Sequence, residues 1–114
     1  MNNVIRGTKY TNYVRKIPID KPKYDGDIFE KIPHNKVIGK YIDVLENVGR
    51  YNQNMYIIDS DRTDGLFDKI FGYASLDRQM KEVNIGDIIE IEYIGLNNRN
   101  LKEYHEFKVS KVYY

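Results

Sequence analysis

The sequence predicts an all-β fold: a five-stranded barrel with one short helix between strands three and four, and an extended N-terminal arm. Three observations support this fold class. Five runs rich in β-branched and aromatic residues follow residue 36. One apolar stripe with helical spacing separates the third run from the fourth. All three prolines lie within the first 33 residues, and the chain length suits one modest core.

Residues 1–33 are predicted to form the arm, and residues 34–114 the barrel domain. The arm lacks a helical or alternating period, and proline fixes φ and removes a backbone donor. Residues 1–24 carry six basic residues and one acid, a net charge of +5, whereas residues 25–114 carry 12 basic and 16 acidic residues, a net charge of −4. A basic arm indicates contact with phosphates, an acidic partner or its own domain; a solubilising tail is the alternative.

The first three strands are predicted from β-branched and aromatic runs. These runs cover residues 37–46, 51–59 and 66–72. Gly39 lies inside the first run and indicates a bulge or bend, which would let one long strand serve two sides of a barrel. The dipeptide Asp64-Gly65 is a strong hairpin-turn signal between the second and third runs.

One helix is predicted after the third strand. Leu76, Met80 and Val83 recur at i, i+4 and i+7 and form a single apolar stripe. Ser75 is the expected N-cap, and Asp77 lies in the first turn, where the helix dipole favours a negative charge.

Two more strands complete the domain. The fourth, residues 88–94, alternates isoleucine and tyrosine with glutamate, as a half-buried strand does. Residues 95–102 are predicted to be a polar loop. The fifth strand would place His105, Phe107 and Val109 on one face, with polar residues between them.

The resulting order is three strands, one helix and two strands, with a long first strand. This order is the layout of the OB fold, in which a helix commonly closes one end of the barrel. An SH3-like barrel and an α+β roll remain alternatives, because the order of the strands does not determine their pairing.

Five short segments carry a family resemblance: Lys36-Val-Ile-Gly-Lys-Tyr41, Phe71-Gly72-x-x-x-Leu76, Ile85-Gly86-Asp87, Glu92-Tyr93-Ile94-Gly95 and Tyr104-x-x-Phe107-x-Val109. Together, over about residues 36–114, they resemble small OB-fold single-stranded-DNA-binding proteins of phages and mobile elements of Gram-positive bacteria. The resemblance implies a non-catalytic DNA-binding protein of replication or recombination. The chain differs from that family in having no tryptophan and a net acidic barrel.

Single-strand binding needs aromatic faces for bases and cations for phosphates on one surface. In an OB fold this surface is the outer face of strands two and three with the adjoining loops. The predicted nucleic-acid-binding residues are Lys40, Tyr41, Arg50, Tyr51, Tyr56, Arg62, Lys69, Phe71 and Arg99. Core packing remains the alternative for each aromatic side chain, because aromatic residues in strands are commonly buried.

No motif in the sequence indicates catalysis, a metal site or a cofactor. The chain has no cysteine, no glycine-rich phosphate loop and no ligand-like histidine spacing.

The expected partner is single-stranded DNA, or RNA. The alternative is a protein-interaction module, an accessory or inhibitory subunit that docks through the barrel or the arm. Homo-oligomerisation through arm residues Tyr10, Tyr13 and Ile17 is compatible with either function. The sequence shows no long apolar run and no signal-like N-terminus, which predicts a cytoplasmic protein without membrane contact.

Overall fold

The computed structural model describes residues 24–113. The predicted contacts of Tyr10, Tyr13 and Ile17 lie outside these residues. The described elements are β1 (Gly26–Ile28), β2 (Lys36–Val48), β3 (Gln53–Asp59), β4 (Phe67–Phe71), α1 (Ala74–Met80), β5 (Ile88–Arg99) and β6 (Lys102–Lys111).

The strands form one sheet in the order β1-β4-β3-β2-β5-β6. The all-β prediction is therefore confirmed, and the five predicted strands correspond to β2 through β6. The sheet is open within the described residues, with β1 and β6 as its edges, so closure into a five-stranded barrel is not observed. The edge of β4 that would close such a barrel instead pairs in parallel with the additional strand β1.

The described part of the predicted arm belongs to this sheet. The amide of Phe29 donates to the carbonyl of Lys69 at 2.8 Å, and the amide of Phe67 donates to the carbonyl of Asp25 at 3.0 Å. The chain therefore joins the sheet before residue 34, the predicted start of the barrel domain. Ile28 and Phe29 make this segment apolar enough to pack, and Phe29 lies against the core.

The core lies on one face of the curved sheet and beneath α1. Its members are Val37, Tyr41, Tyr56, Ile58, Ile70, Leu76, Met80, Ile89, Ile91, Tyr93 and Phe107. Leu76 and Met80 are buried, as the predicted helical stripe requires, whereas α1 ends at Met80 and Val83 packs against the cluster from the turn that follows. Burying each such side chain stabilises the fold by about 1.5–3 kcal/mol. No helix within residues 24–113 is long and apolar enough to cross a membrane.

Strand β2 serves both halves of the sheet. Its first part, 36–40, pairs with β5, and the part from 40 to 48 pairs with β3. The register with β3 shifts between Tyr41 and Asp43. The bulge expected at Gly39 therefore lies a few residues further along the strand.

Gly39 has a different role, which is to allow a close approach between strands. A Cβ atom added at Gly39 would lie 2.8 Å from the carbonyl carbon of Asp59 and 2.8 Å from the Cα of Ser60. Both of these atoms belong to the backbone, so no side-chain rotation could relieve the contact. Glycine is needed here because the chain after β3 passes directly over β2.

The polar loop predicted over residues 95–102 is wrong. Both strands of the last hairpin continue through it and meet at a two-residue turn, Asn100-Leu101. A register shift between Tyr93 and Gly95, with φ of +143° at the glycine, lets the pairing continue beyond the core. Polar composition marks solvent exposure, and an exposed hairpin is as polar as a loop.

Candidate functional site

Two of the predicted base-stacking residues, Tyr41 and Tyr56, lie in the core. Their side chains are 5% and 4% exposed, and their rings meet edge to face with centroids 6.0 Å apart. Tyr41 is paired with Ile58 and Tyr56 with Ile70, so all four side chains point into the core. The prediction that these two rings face outward is wrong, because both are buried in the core and cannot stack on bases. Residues 55–58 are all buried, which removes the alternation that would have marked the inner face.

The outer face of β3 is covered by the chain itself. Asp43, Ile57 and Lys69 lie side by side across three strands on this face. The hydroxyl of Tyr24 donates to Asp43 Oδ2 at 2.7 Å, and Lys69 Nζ donates to the carbonyl of Tyr24 at 3.4 Å. The Tyr24 ring also meets Phe67 edge to face, with centroids 5.3 Å apart. Tyr24 therefore bonds to the residues on both sides of Ile57, which is completely buried. The ammonium group of the predicted cation Lys69 already donates a hydrogen bond to Tyr24.

Arg50, Tyr51 and Phe71 are brought near one another at the end of this face. Tyr51 is 73% exposed, and the Arg50 guanidinium lies 5.8 Å from the centre of its ring. A Cβ added at Gly49 in the same turn would lie 3.8 Å from the Phe71 ring. Phe71 lies on the outer side of the sheet, because its neighbour Ile70 faces the core, whereas Arg50 and Tyr51 lie in the turn between β2 and β3. That these residues bind nucleic acid stays a prediction.

Arg62 is engaged by carboxylates. Its guanidinium lies 2.8 Å from Asp27, 2.8 Å from Asp64 and 3.3 Å from Asp68. Hydrogen bonds to Asp27 and then Asp64 raise the pKa of Arg62 further above its usual range. The prediction that Arg62 is a cation available to phosphate is corrected, because its charge is already balanced by three acids.

Lys40 is exposed, but its surroundings are acidic. It lies where β2 passes from β5 to β3, paired with both Asp59 and Ile88. It lines a cavity of about 300 Å³ together with Asp59 and Asp61. These carboxylates reduce the attraction of this position for phosphate.

Arg99, the remaining predicted residue, lines the groove between α1 and the β5–β6 hairpin, hereafter the helix–hairpin groove. The groove has a volume of about 530 Å³. Arg78, Arg99 and Lys108 supply positive charge to it, and Tyr104 supplies an aromatic ring. None of these three cations forms an ion pair with another residue in the described part of the chain.

The two walls of the groove are held together by side chains of α1. Gln79 Nε2 donates to the carbonyl of Phe107 at 2.6 Å, and the amide of Val109 donates to Gln79 Oε1 at 2.9 Å. The amide of Phe107 donates to Ser75 Oγ at 3.1 Å. Because β6 is an edge strand, these two side chains replace a neighbouring strand. Ser75 is therefore not the predicted N-cap; Tyr73 holds that position without a side-chain hydrogen bond.

The strand wall of the groove alternates in chemical character. Lys102, Tyr104, Glu106 and Lys108 follow one another at every second position of β6, on the face opposite Phe107. The carboxylate of Glu106 accepts a hydrogen bond from the side chain of Asn97 on β5, so Glu106 already has a partner within the hairpin.

Sequence reasoning missed Arg78, Tyr104 and Lys108. The alternation along β6 is a signal that could have identified Tyr104 and Lys108, since they alternate with the inward Phe107 and Val109. Arg78 had no such signal. Its position depends on how α1 packs against β6, which local sequence does not specify.

Among residues 24–113, no group of three or more histidine or acidic side chains is arranged to hold a metal ion. His105 lies 2.8 Å from the hydroxyl of Tyr93 and meets the ring of Tyr73 edge to face. These contacts place it within an aromatic cluster beside the core.

No protein-family model, curated protein or solved structure matches the chain.

Proposed function

We propose that the protein is a non-catalytic single-stranded nucleic-acid-binding module, with DNA as the expected strand, and that the strand lies in the helix–hairpin groove. One observation carries the proposal: three cations without ion-pair partners among the described residues line a single groove together with Tyr104. Positive charge along a groove with an aromatic ring is the arrangement that non-specific strand binding requires.

Each residue of the groove has a role in this proposal. Arg78 and Lys108 on opposite walls contact phosphates, and Arg99 extends the positive path towards the hairpin turn. The ring of Tyr104 stacks on a base, an interaction worth about 1–3 kcal/mol per base. Stacking and phosphate contacts tolerate any sequence, so little base specificity is expected.

The strand pairing supports an OB-like assignment, which is part of the proposal. β2 pairs with β3 and β5, β3 pairs with β4, and β5 pairs with β6. A helix lies between β4 and β5. These pairings are those of an OB fold apart from the closing pair, and OB folds commonly bind oligonucleotides through the hairpin between their last two strands. Fold alone does not determine function, so the proposed function rests on the residues that line the groove.

A protein-interaction module is the second candidate. The net charge of −4 over residues 25–114 favours it, because an acidic surface repels nucleic acid. The two candidates differ in their salt dependence: phosphate contacts weaken steeply with salt, whereas an apolar interface does not.

The test is a fluorescence-anisotropy titration of labelled oligo-dT and of a duplex of equal length, at low and moderate salt. Saturable, salt-sensitive binding with preference for the single strand is expected. Tyr104→Ala and Arg78→Gln should each weaken binding about tenfold. Lys81→Gln is the matched control, since Lys81 is exposed at the end of the same helix but does not line the groove. Absence of binding at low salt, or equal loss in the control, would overturn the proposal.

A further inference from the structure

The turn of the β5–β6 hairpin combines features that are unfavourable for the isolated protein. Asn100 and Leu101 both have left-handed backbone conformations, with φ of 53° and 66°. The side chain of Leu101 is fully exposed to solvent. Arg99 and Lys102 are directly paired across the hairpin and place two positive charges opposite each other.

Each feature has a physical cost. A two-residue turn with both φ angles positive favours Asn-Gly, and here the glycine position holds a bulky leucine. Like charges at directly opposed positions of an antiparallel pair destabilise the hairpin. Because its side chain is exposed, Leu101 contributes no hydrophobic stabilisation to the isolated protein. Strained or unfavourable local structure of this kind concentrates at functional sites.

A single type of ligand would relieve two of these costs, the charge repulsion and the exposure of Leu101. An anionic group would neutralise the repulsion between Arg99 and Lys102, and a flat apolar surface would remove Leu101 from water. A nucleic-acid strand has both, because phosphates flank every base step. Arg99 also lines the helix–hairpin groove, so a strand lying in that groove reaches the turn without a break.

We infer that Leu101 is a wedge that enters a base step of the bound single strand, while Arg99 and Lys102 contact the phosphates on either side. The inference rests on the proposed function and adds the mode of binding. Apolar side chains inserted between bases unstack them in other nucleic-acid-binding proteins.

The chemistry of the turn favours this ligand over an apolar protein surface. Burying the turn in such a surface would remove Arg99 and Lys102 from water without providing a partner for either charge. A strand provides both an apolar surface and counter-charges.

The test uses an adenine-rich single strand of about 15 nucleotides with 2-aminopurine at alternate positions. Stacking on adenine quenches 2-aminopurine, so insertion of Leu101 should raise its fluorescence about twofold or more at saturating protein. Leu101→Gly should still bind through the groove, with affinity lower by about threefold to tenfold, and should give little fluorescence rise. Leu101→Gly should also melt at a higher temperature, because glycine adopts positive φ without strain.

Leu96→Ala is the matched control, because Leu96 is an exposed leucine of the same hairpin that lies outside the turn. It should retain the fluorescence rise. An equal rise with Leu101→Gly and with unsubstituted protein would overturn the wedge and leave the groove proposal intact. Absence of any binding by unsubstituted protein would overturn both.

Discussion

The hydroxyl of Tyr56 donates a hydrogen bond to the carboxylate of Asp77 at 2.5 Å, which joins the centre of β3 to the first turn of α1. Burial, followed by the bond to Asp77, raises the pKa of Tyr56 well above its usual value, so the phenol remains a donor throughout the neutral range. The side chain of Asn54 also donates to Asp77, at 3.4 Å. This contact fixes the end of the helix that forms one wall of the helix–hairpin groove.

Tyr56→Phe should destabilise the protein by about 1–3 kcal/mol, because Asp77 loses its short hydrogen bond while the core keeps its volume. Urea unfolding followed by circular dichroism measures the change. Tyr41→Phe is the matched control: Tyr41 is equally buried and its ring packs against that of Tyr56, but the bond to Asp77 belongs to Tyr56. Equal losses in the two variants would show that the bond to Asp77 contributes nothing.

Gln79→Met should destabilise the protein by about 1–3 kcal/mol, because it keeps the length of the side chain but removes the hydrogen bonds to Phe107 and Val109. The amide of Val109 should also exchange with solvent faster in hydrogen-exchange NMR. Arg78→Met, on an exposed position of the same helix, should change stability by less than about 0.5 kcal/mol. Unchanged exchange at Val109 would contradict the role assigned to Gln79.

Gly39→Ala should destabilise the protein by about 2–4 kcal/mol, because the new Cβ would meet the backbone of Asp59 and Ser60. Gly65→Ala provides the comparison. Gly65 has φ of +75° and nothing within 4 Å of an added Cβ, so only conformational strain of about 1 kcal/mol is expected. Thermal unfolding of both variants should therefore show the larger shift for Gly39→Ala, and the reverse order would refute the close approach.

Acidification through pH 6.5 should destabilise the protein through His105. Burial, and then the positive charge of Lys31, lower the pKa of His105 below 6.5, while Glu103 acts weakly in the opposite direction. The unfolded state then takes up a proton at higher pH than the folded state. The contribution of neutral His105 to the stability is therefore complete above the pKa of this group in the unfolded state. It is lost as the pH falls towards the lower pKa of His105 in the folded state.

The measurement is the urea midpoint between about pH 7.5 and 5.5, where carboxylates stay ionised. His105→Gln should remove most of the decline. His34, at the surface 3.4 Å from Glu92, is present in both proteins, so the difference between them is due to His105. A decline of the same size in the variant would assign it to another group.

The salt dependence of strand binding should report the number of cations in contact with phosphates. If the three groove cations contact phosphates, with or without Lys102, the logarithm of the binding constant should fall with the logarithm of the salt concentration. The expected slope for a single strand lies between roughly −2 and −3. Arg78→Gln and Lys108→Gln should each reduce the slope by about 0.7, whereas Lys81→Gln should leave it unchanged. A slope near zero would favour the protein-interaction alternative.

The sequence by itself determined the order of strands β2 to β6, the place of the helix and much of the core. Leu76 and Met80 on the helix, and Ile89, Ile91 and Tyr93 on β5, are buried as their spacing predicts. These predictions succeeded because the direction of a side chain within one element follows from local backbone geometry. The period of apolar residues therefore indicates the buried face wherever only one face is covered.

Only the tertiary structure decided which surfaces remain accessible. Tyr24 bonds to Asp43 and Lys69 on the outer face, three carboxylates form ion pairs with Arg62, and Gln79 joins α1 to β6. Most of these contacts join residues that are far apart in the chain, such as Arg62 with Asp27 and Gln79 with Phe107. They depend on the docking of separate elements, which the local alternation of residues does not specify.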